Sequence, residues 1–126
     1  MYRVDIESSP DGAFSVKAGS GSFVMDMKNK GVTPPDALLA ALGSCIGVYI
    51  RKYTDGAGLA LGKFSVSVES EFSAEPPLRF KTIKVVVDLK GLQLDERRQK
   101  ALLEFTKNCP VHNTLKSNPL VETVLV

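Results

Sequence analysis

The segment Thr33-Pro34-Pro35-Asp36-Ala37-Leu38-Leu39-Ala40-Ala41-Leu42-Gly43-Ser44-Cys45 decides the architecture. Before it, apolar residues recur at every second position; from it onward they recur at every third or fourth. Thr33 suits a helix cap, Pro34 suits the first helical position, where its missing N–H costs nothing, and Asp36 stands where a carboxylate reaches back to the cap. Leu38, Leu42, Cys45, Tyr49 and Tyr53 then form one stripe, with Leu39, Ile46 and Ile50 beside it. The other side carries Ala40, Ala41, Gly43, Ser44 and Gly47, small enough for another backbone to approach. A helix apolar on one side and small on the other is expected to be covered on both, hence central and buried. Arg51 and Lys52 are expected to close it before Gly56, where the helix dipole favours positive charge.

On the N-terminal side, Tyr2, Val4 and Ile6 alternate with Arg3, Asp5 and Glu7 until the turn signal Ser8-Ser9-Pro10-Asp11-Gly12. Phe14 and Val16 continue the pattern up to Gly19-Ser20-Gly21, and Phe23, Met25 and Met27 repeat it, giving three short antiparallel strands. Beyond the helix, Phe64, Val66 and Val68 form one strand; Ile83, Val85, Val87 and Leu89 form another, with Pro76-Pro77 between them. Asp95 caps a helix whose inner face holds Leu102 and Phe105. A third, short helix with Val111 and Leu115 runs to Asn118-Pro119, and the valine-rich tail Leu120 to Val126 reads as a last strand. The order βββ-α-ββ-α-α-β is an α+β arrangement, expected as one domain over residues 1–126.

Composition narrows the function classes. The chain has 126 residues, 44% hydrophobic and 24% charged, as in an ordinary globular domain. Its 16 basic and 14 acidic residues are interspersed, with Arg51-Lys52 and Arg97-Arg98 the only adjacent basic pairs, which argues against nucleic acid as a partner. Met1 to Asp5 lacks the apolar core of a signal peptide, and the uncharged run from Ala37 to Ile50 is shorter than the roughly 20 residues a bilayer requires. A cytoplasmic chain without a membrane partner is expected.

Two cysteines, Cys45 and Cys109, carry what chemistry the sequence offers. Pro110 favours a first helical position, which puts Cys109 at the helix N-cap, where free N–H groups are expected to depress its pKa. Cys45 lies mid-helix in apolar company, and no cation or hydrogen-bonding neighbour stands within one turn to activate it. Alternatively, both cysteines are packing residues. In a third reading, Cys109, the single histidine His112 and Cys45 make a Cys₂His zinc site. No dinucleotide, Walker or nucleophile-elbow motif is present.

The helix segment through Cys45, followed much later by Asn108-Cys109-Pro110-Val111-His112-Asn113-Thr114-Leu115, resembles the paired signature of the OsmC/Ohr family, the osmotically inducible protein C and organic hydroperoxide resistance proteins. The resemblance covers essentially the whole chain. It implies an OsmC-like fold assembled as an intertwined homodimer, no cofactor, and a thiol-dependent peroxidase acting on organic hydroperoxides and on hydrogen peroxide. In that scheme Cys45 attacks the O–O bond and becomes a sulfenic acid. Cys109 condenses with it to a disulfide, and a dithiol reductant of lipoyl or thioredoxin type restores both thiols.

Two departures from the family pattern stand out. The family's activating glutamate falls on a proline of Pro34-Pro35, leaving Asp36 as the nearest acid. The family's arginine from the N-terminal strands has no counterpart between Arg3 and Arg51, where Lys17, Lys28 and Lys30 are the cations. Asp36, His112, Lys28 and Lys30 are therefore the candidate supporting residues, although lysine lacks the planar fork of arginine. The altered activators keep a noncatalytic OsmC-like protein, binding a small apolar molecule or partner at the dimer interface, as the alternative.

Overall fold

A computed structural model of the chain describes residues 1–26, 28 and 31–126. These form two compact units, Met1–Ala40 and Ala41–Val126. Met27, which the alternation assigns to the third strand, lies outside the described residues.

The first unit is a three-stranded antiparallel sheet of β1 (Val4–Ser8), β2 (Ala13–Ala18) and β3 (Gly21–Asp26), in the order β1-β2-β3. The first turn closes where Pro10-Asp11-Gly12 signals it. Gly12 adopts φ +91°, its N–H donates to the Ser9 carbonyl, and the Ala13 N–H donates to Asp11 Oδ1 at 3.0 Å. Register sets Ile6 opposite Val16 and Val16 opposite Phe23, so the apolar residues of all three strands share one face. Val16 at its centre is buried, yet Ile6 and Phe23 keep 54% and 50% of their surface exposed.

The long helix α1 (Pro34–Gly56) begins in this unit. Thr33 Oγ1 donates to Asp36 Oδ2 at 2.7 Å, the Thr33 N–H donates to the same oxygen, and the Asp36 N–H donates back to Thr33 Oγ1. This is the reciprocal cap expected from the sequence. The helix outruns Arg51 and Lys52, so neither lies in its last turn. The Arg51 guanidinium instead donates to the carbonyls of Leu61 and Gly62 and covers the Phe64 ring, holding the connection that follows the helix.

In the second unit, β4 (Ser65–Phe72) and β5 (Phe80–Asp88) pair antiparallel, with Val66 opposite Val87 and Val68 opposite Val85. That valine face packs against α1 residues Leu42, Ile46 and Ile50, and Leu102 of α2 (Glu96–Thr106) joins the same core. Of the expected small side of α1, Gly43 serves close approach, since a Cβ there would stand 2.7 Å from Val68 Cγ2, whereas Ala40, Ala41 and Ser44 are exposed, so the helix is not covered on both sides. Asp95 caps α2 by accepting the Arg98 N–H at 2.8 Å.

Two further expectations are corrected. The buried line of α1 runs through Leu42, Gly43, Ile46, Ile50 and Thr54, which sets Cys45 at its margin and leaves Leu38 41% exposed. The tail Leu120 to Val126 forms no strand, and Leu120 and Leu125 are 95% and 98% exposed. Strand geometry requires a hydrogen-bonded neighbour, and the tail has no neighbouring strand among the described residues.

Candidate active site

Cys45 and Cys109, distant in sequence, are brought together in the second unit. Cys109 lies in the buried cluster with Leu42, Ile46, Ile50 and Leu102, and Cys45 packs on that cluster half-buried. Both are free thiols, and Cys45 packs on the cluster that contains Cys109. One thiol is thus open to a reagent while the other is enclosed behind it.

Local sequence explains the placement of Cys109. α2 ends at Thr106, and α3 (Pro110–Ser117) begins with Pro110, leaving Cys109 as its N-cap. Its sulfur accepts the His112 backbone N–H at 3.4 Å, as a capping oxygen would. Aromatic contacts fix the helices on either side. The Phe105 ring, one turn before Cys109, meets Tyr49, one turn after Cys45, at 5.9 Å between centroids and Tyr53 at 5.8 Å. Phe105 appears in the sequence only as a core position; its pairing with two tyrosines requires the crossing of α1 and α2, which no local pattern encodes.

Ionisation of Cys109 runs opposite to the expectation from its position at a helix start. Burial pushes the thiol above its ordinary range, and the hydrogen bond and charge of Cys45 push the same way; the N–H groups of His112 and Val111 draw it down without prevailing. The cap is present as expected, but its effect is outweighed because Cys109 is wholly enclosed, with 0% of its surface exposed. At neutral pH Cys109 is therefore a protonated thiol.

The supporting residues fall as follows. Asp36 is committed to the α1 cap with Thr33. Lys28 is exposed in the first unit, and its backbone N–H donates to Asp26 Oδ1 at 2.7 Å. Lys30 lies outside the described residues. His112 is half-buried in the first turn of α3, and its backbone N–H is what reaches Cys109. Among the described residues no three histidine, cysteine, aspartate or glutamate side chains converge as metal ligands, so Cys45, Cys109 and His112 do not form the Cys₂His set. No described helix is long and apolar enough to cross a membrane.

Residues 27–124 match the family of OsmC-like proteins. No curated protein matches by sequence. Among solved structures, an OsmC-like protein from Mycoplasma pneumoniae is 20% identical, covering 94% of this chain and 89% of that one, with TM-score 0.79. An organic hydroperoxide resistance protein, OsmC, from Legionella pneumophila is 18% identical over 94% and 90%, with TM-score 0.65. The organic hydroperoxide resistance protein OhrB of Bacillus subtilis is 17% identical over 94% and 92%, with TM-score 0.61. At these identities the likeness is one of fold; together with the family match, it establishes that this chain belongs to the OsmC family.

Proposed function

We propose that the protein is a thiol-dependent peroxidase that reduces organic hydroperoxides through Cys45, with Cys109 as the resolving thiol. The observation that carries this reading is the packing of a half-buried Cys45 against the core cluster that holds a fully enclosed Cys109. The exposed member attacks the distal oxygen of ROOH, the O–O bond breaks, and ROH leaves once the alkoxide gains a proton. Cys45 is then a sulfenic acid, and Cys109 displaces its hydroxyl to form the disulfide. A dithiol of lipoyl or thioredoxin type returns both thiols by exchange, with its own two sulfurs leaving as a disulfide.

The working unit in this reading is a cytoplasmic homodimer. A second copy of the chain is the fitting cover for the half-open apolar face of β1, β2 and β3 and for the unpaired tail Leu120 to Val126. Sedimentation at micromolar concentration tests this: a dimer is expected, and a monomer removes it.

The activity test follows consumption of cumene hydroperoxide under excess dithiol. Cys45→Ser is expected to abolish turnover, and Cys109→Ser to stop after one equivalent with sulfenic acid on Cys45. Full turnover in Cys45→Ser would refute the assignment. One observation favours a second reading: within Ala41–Val126 no lysine or arginine hydrogen-bonds to Cys45, since Arg51 is engaged by Leu61 and Gly62 and Lys52 covers the Tyr49 ring. A noncatalytic role, binding a small apolar molecule, would show as Cys45 surviving excess hydroperoxide unmodified.

A further inference from the structure

Cys45 is the half-open thiol, and α1 itself sets what borders its open side. Tyr49 and Lys52 lie four and seven residues beyond it, a spacing that puts all three on one side of the helix, about 6 and 10 Å along the axis. Ala41 and Val48 border the same side and are exposed, Val48 to 51%. Tyr49 is half-buried, with its ring against Phe105 of α2 at 5.9 Å between centroids, so it is a fixed wall. From Ala41 to Tyr49 the helix carries no charge; Lys52 ends that stretch on the Cys45 side.

Helical side chains lean toward the N-terminus, and Lys52 follows that lean. Its Nζ stands 4.8 Å from the Tyr49 ring centroid, back toward Cys45 and away from the end of the helix. The ammonium has no carboxylate partner among the described residues: it enters no salt bridge, Asp55 three residues on included, and Glu104, the acid next to Phe105, is held by Lys107 at 2.8 Å. Arg51, the other cation of α1, is turned to the carbonyls of Leu61 and Gly62. An apolar strip beside a thiol, closed by one unpaired positive charge, is complementary to an aliphatic chain with an anionic head. One lysine without a second cation or a cradle of N–H groups suits a carboxylate better than a phosphate.

We propose that Lys52 anchors the carboxylate of an aliphatic carboxylic acid whose chain lies on Val48 and Tyr49 and whose other end meets Cys45. That this end reacts rests on the peroxidase reading; that the carboxylate binds does not. The acid is either the hydroperoxide or the dithiol, since both must bring a reacting group to the same half-open sulfur. Lys52 is then a specificity residue: it contributes to the binding of acids and nothing to that of their neutral esters or amides.

The first test needs no turnover. Cys45 of the reduced full chain is alkylated with N-ethylmaleimide, a neutral reagent, and its peptide is followed by mass spectrometry in octanoate, octanol or acetate at equal concentration. Octanoate is expected to slow alkylation more than octanol, which lacks the charge, and more than acetate, which lacks the chain. Lys52→Met is expected to weaken octanoate binding roughly two- to five-fold, to the level of octanol, while Lys52→Arg retains it. Lys52 is exposed, so neither variant endangers the fold. Equal protection by octanoate and octanol in the native chain, or octanoate protection unchanged in Lys52→Met, overturns the proposal. Turnover then separates the two sources. Native kcat/KM is compared for an aliphatic hydroperoxide acid and its methyl ester with one dithiol, and for dihydrolipoate and dihydrolipoamide with cumene hydroperoxide. A preference for the acid that Lys52→Met removes assigns the source. A preference that survives Lys52→Met, or none on either side, in a chain that consumes cumene hydroperoxide also overturns the proposal. A chain that leaves cumene hydroperoxide intact fails the peroxidase reading instead, and the alkylation assay then judges the carboxylate site alone.

Discussion

Replacing Gly43 by alanine tests the seating of α1 against β4, on which the position of Cys45 two residues later depends. The added Cβ would stand 2.7 Å from Val68 Cγ2 and 3.5 Å from Val66 Cγ1. Valine in a strand is stiff at χ1, so relief requires movement of α1 or β4, and overpacking of this kind costs about 1 to 3 kcal/mol. Alanine is a better helix former than glycine by about 0.8 to 1 kcal/mol, which offsets part of the loss. Gly47→Ala supplies the control. It lies four residues on along the same helix, and its Cβ would meet the Phe64 ring at 3.8 Å and Val66 Cγ2 at 3.9 Å, ordinary contact distances. The propensity gain cancels between the two variants, so the difference in their stabilities isolates the clash. Urea unfolding with reductant present is expected to place Gly43→Ala about 1 to 3 kcal/mol below Gly47→Ala, with Gly47→Ala at or above the native chain. Equal stabilities would mean that α1 does not lie on β4 at Gly43, and the placement of Cys45 would go with it.

Ionisation of Cys109 makes stability depend on pH. Its folded-state pKa is raised above the ordinary 9.0, so its contribution is full below that value and is lost as pH rises toward the folded-state pKa. Denaturant unfolding of the reduced native chain is expected to weaken more steeply above about pH 9 than that of Cys109→Ser; parallel curves would contradict the raised thiol. Asp36→Ala removes the acceptor from the α1 cap and is expected to cost about 0.5 to 1 kcal/mol in the same assay, whereas an unchanged midpoint would show that the Thr33 interaction contributes nothing. Phe105→Ala deletes the ring that meets Tyr49 and Tyr53, for an expected loss of about 1 to 3 kcal/mol, and it should also slow closure of the Cys45–Cys109 disulfide in a quenched alkylation time course. A native closure rate would deny Phe105 any part in positioning the pair.

Much of this was legible residue by residue because the signals are local. Thr33 and Asp36 are three residues apart, Pro110 follows Cys109 directly, and Gly12 ends a turn; each interaction is complete within a few residues, and the structure contains each one. The valine face of β4 and β5 follows from alternation alone. What escaped the sequence depends on distant parts of the chain. The direction of the Cys109 shift is decided by enclosure, and the residues that enclose it come from α1 and α2. The buried line of α1 turned toward Ile46 and Ile50 because Gly43 admits Val68, a contact between elements separated by the whole of the following loop. The tail from Leu120 has the composition of a strand, but composition does not supply the neighbouring backbone that a strand requires.

The central claim is that these two sulfurs react with each other. Treating the reduced chain with one equivalent of cumene hydroperoxide, blocking residual thiols and mapping peptides by mass spectrometry measures this directly. The expected product is an intrachain Cys45–Cys109 crosslink, lighter by two hydrogens, at the expense of both free thiols. Both cysteines recovered alkylated and unlinked, or joined only between chains, would contradict it.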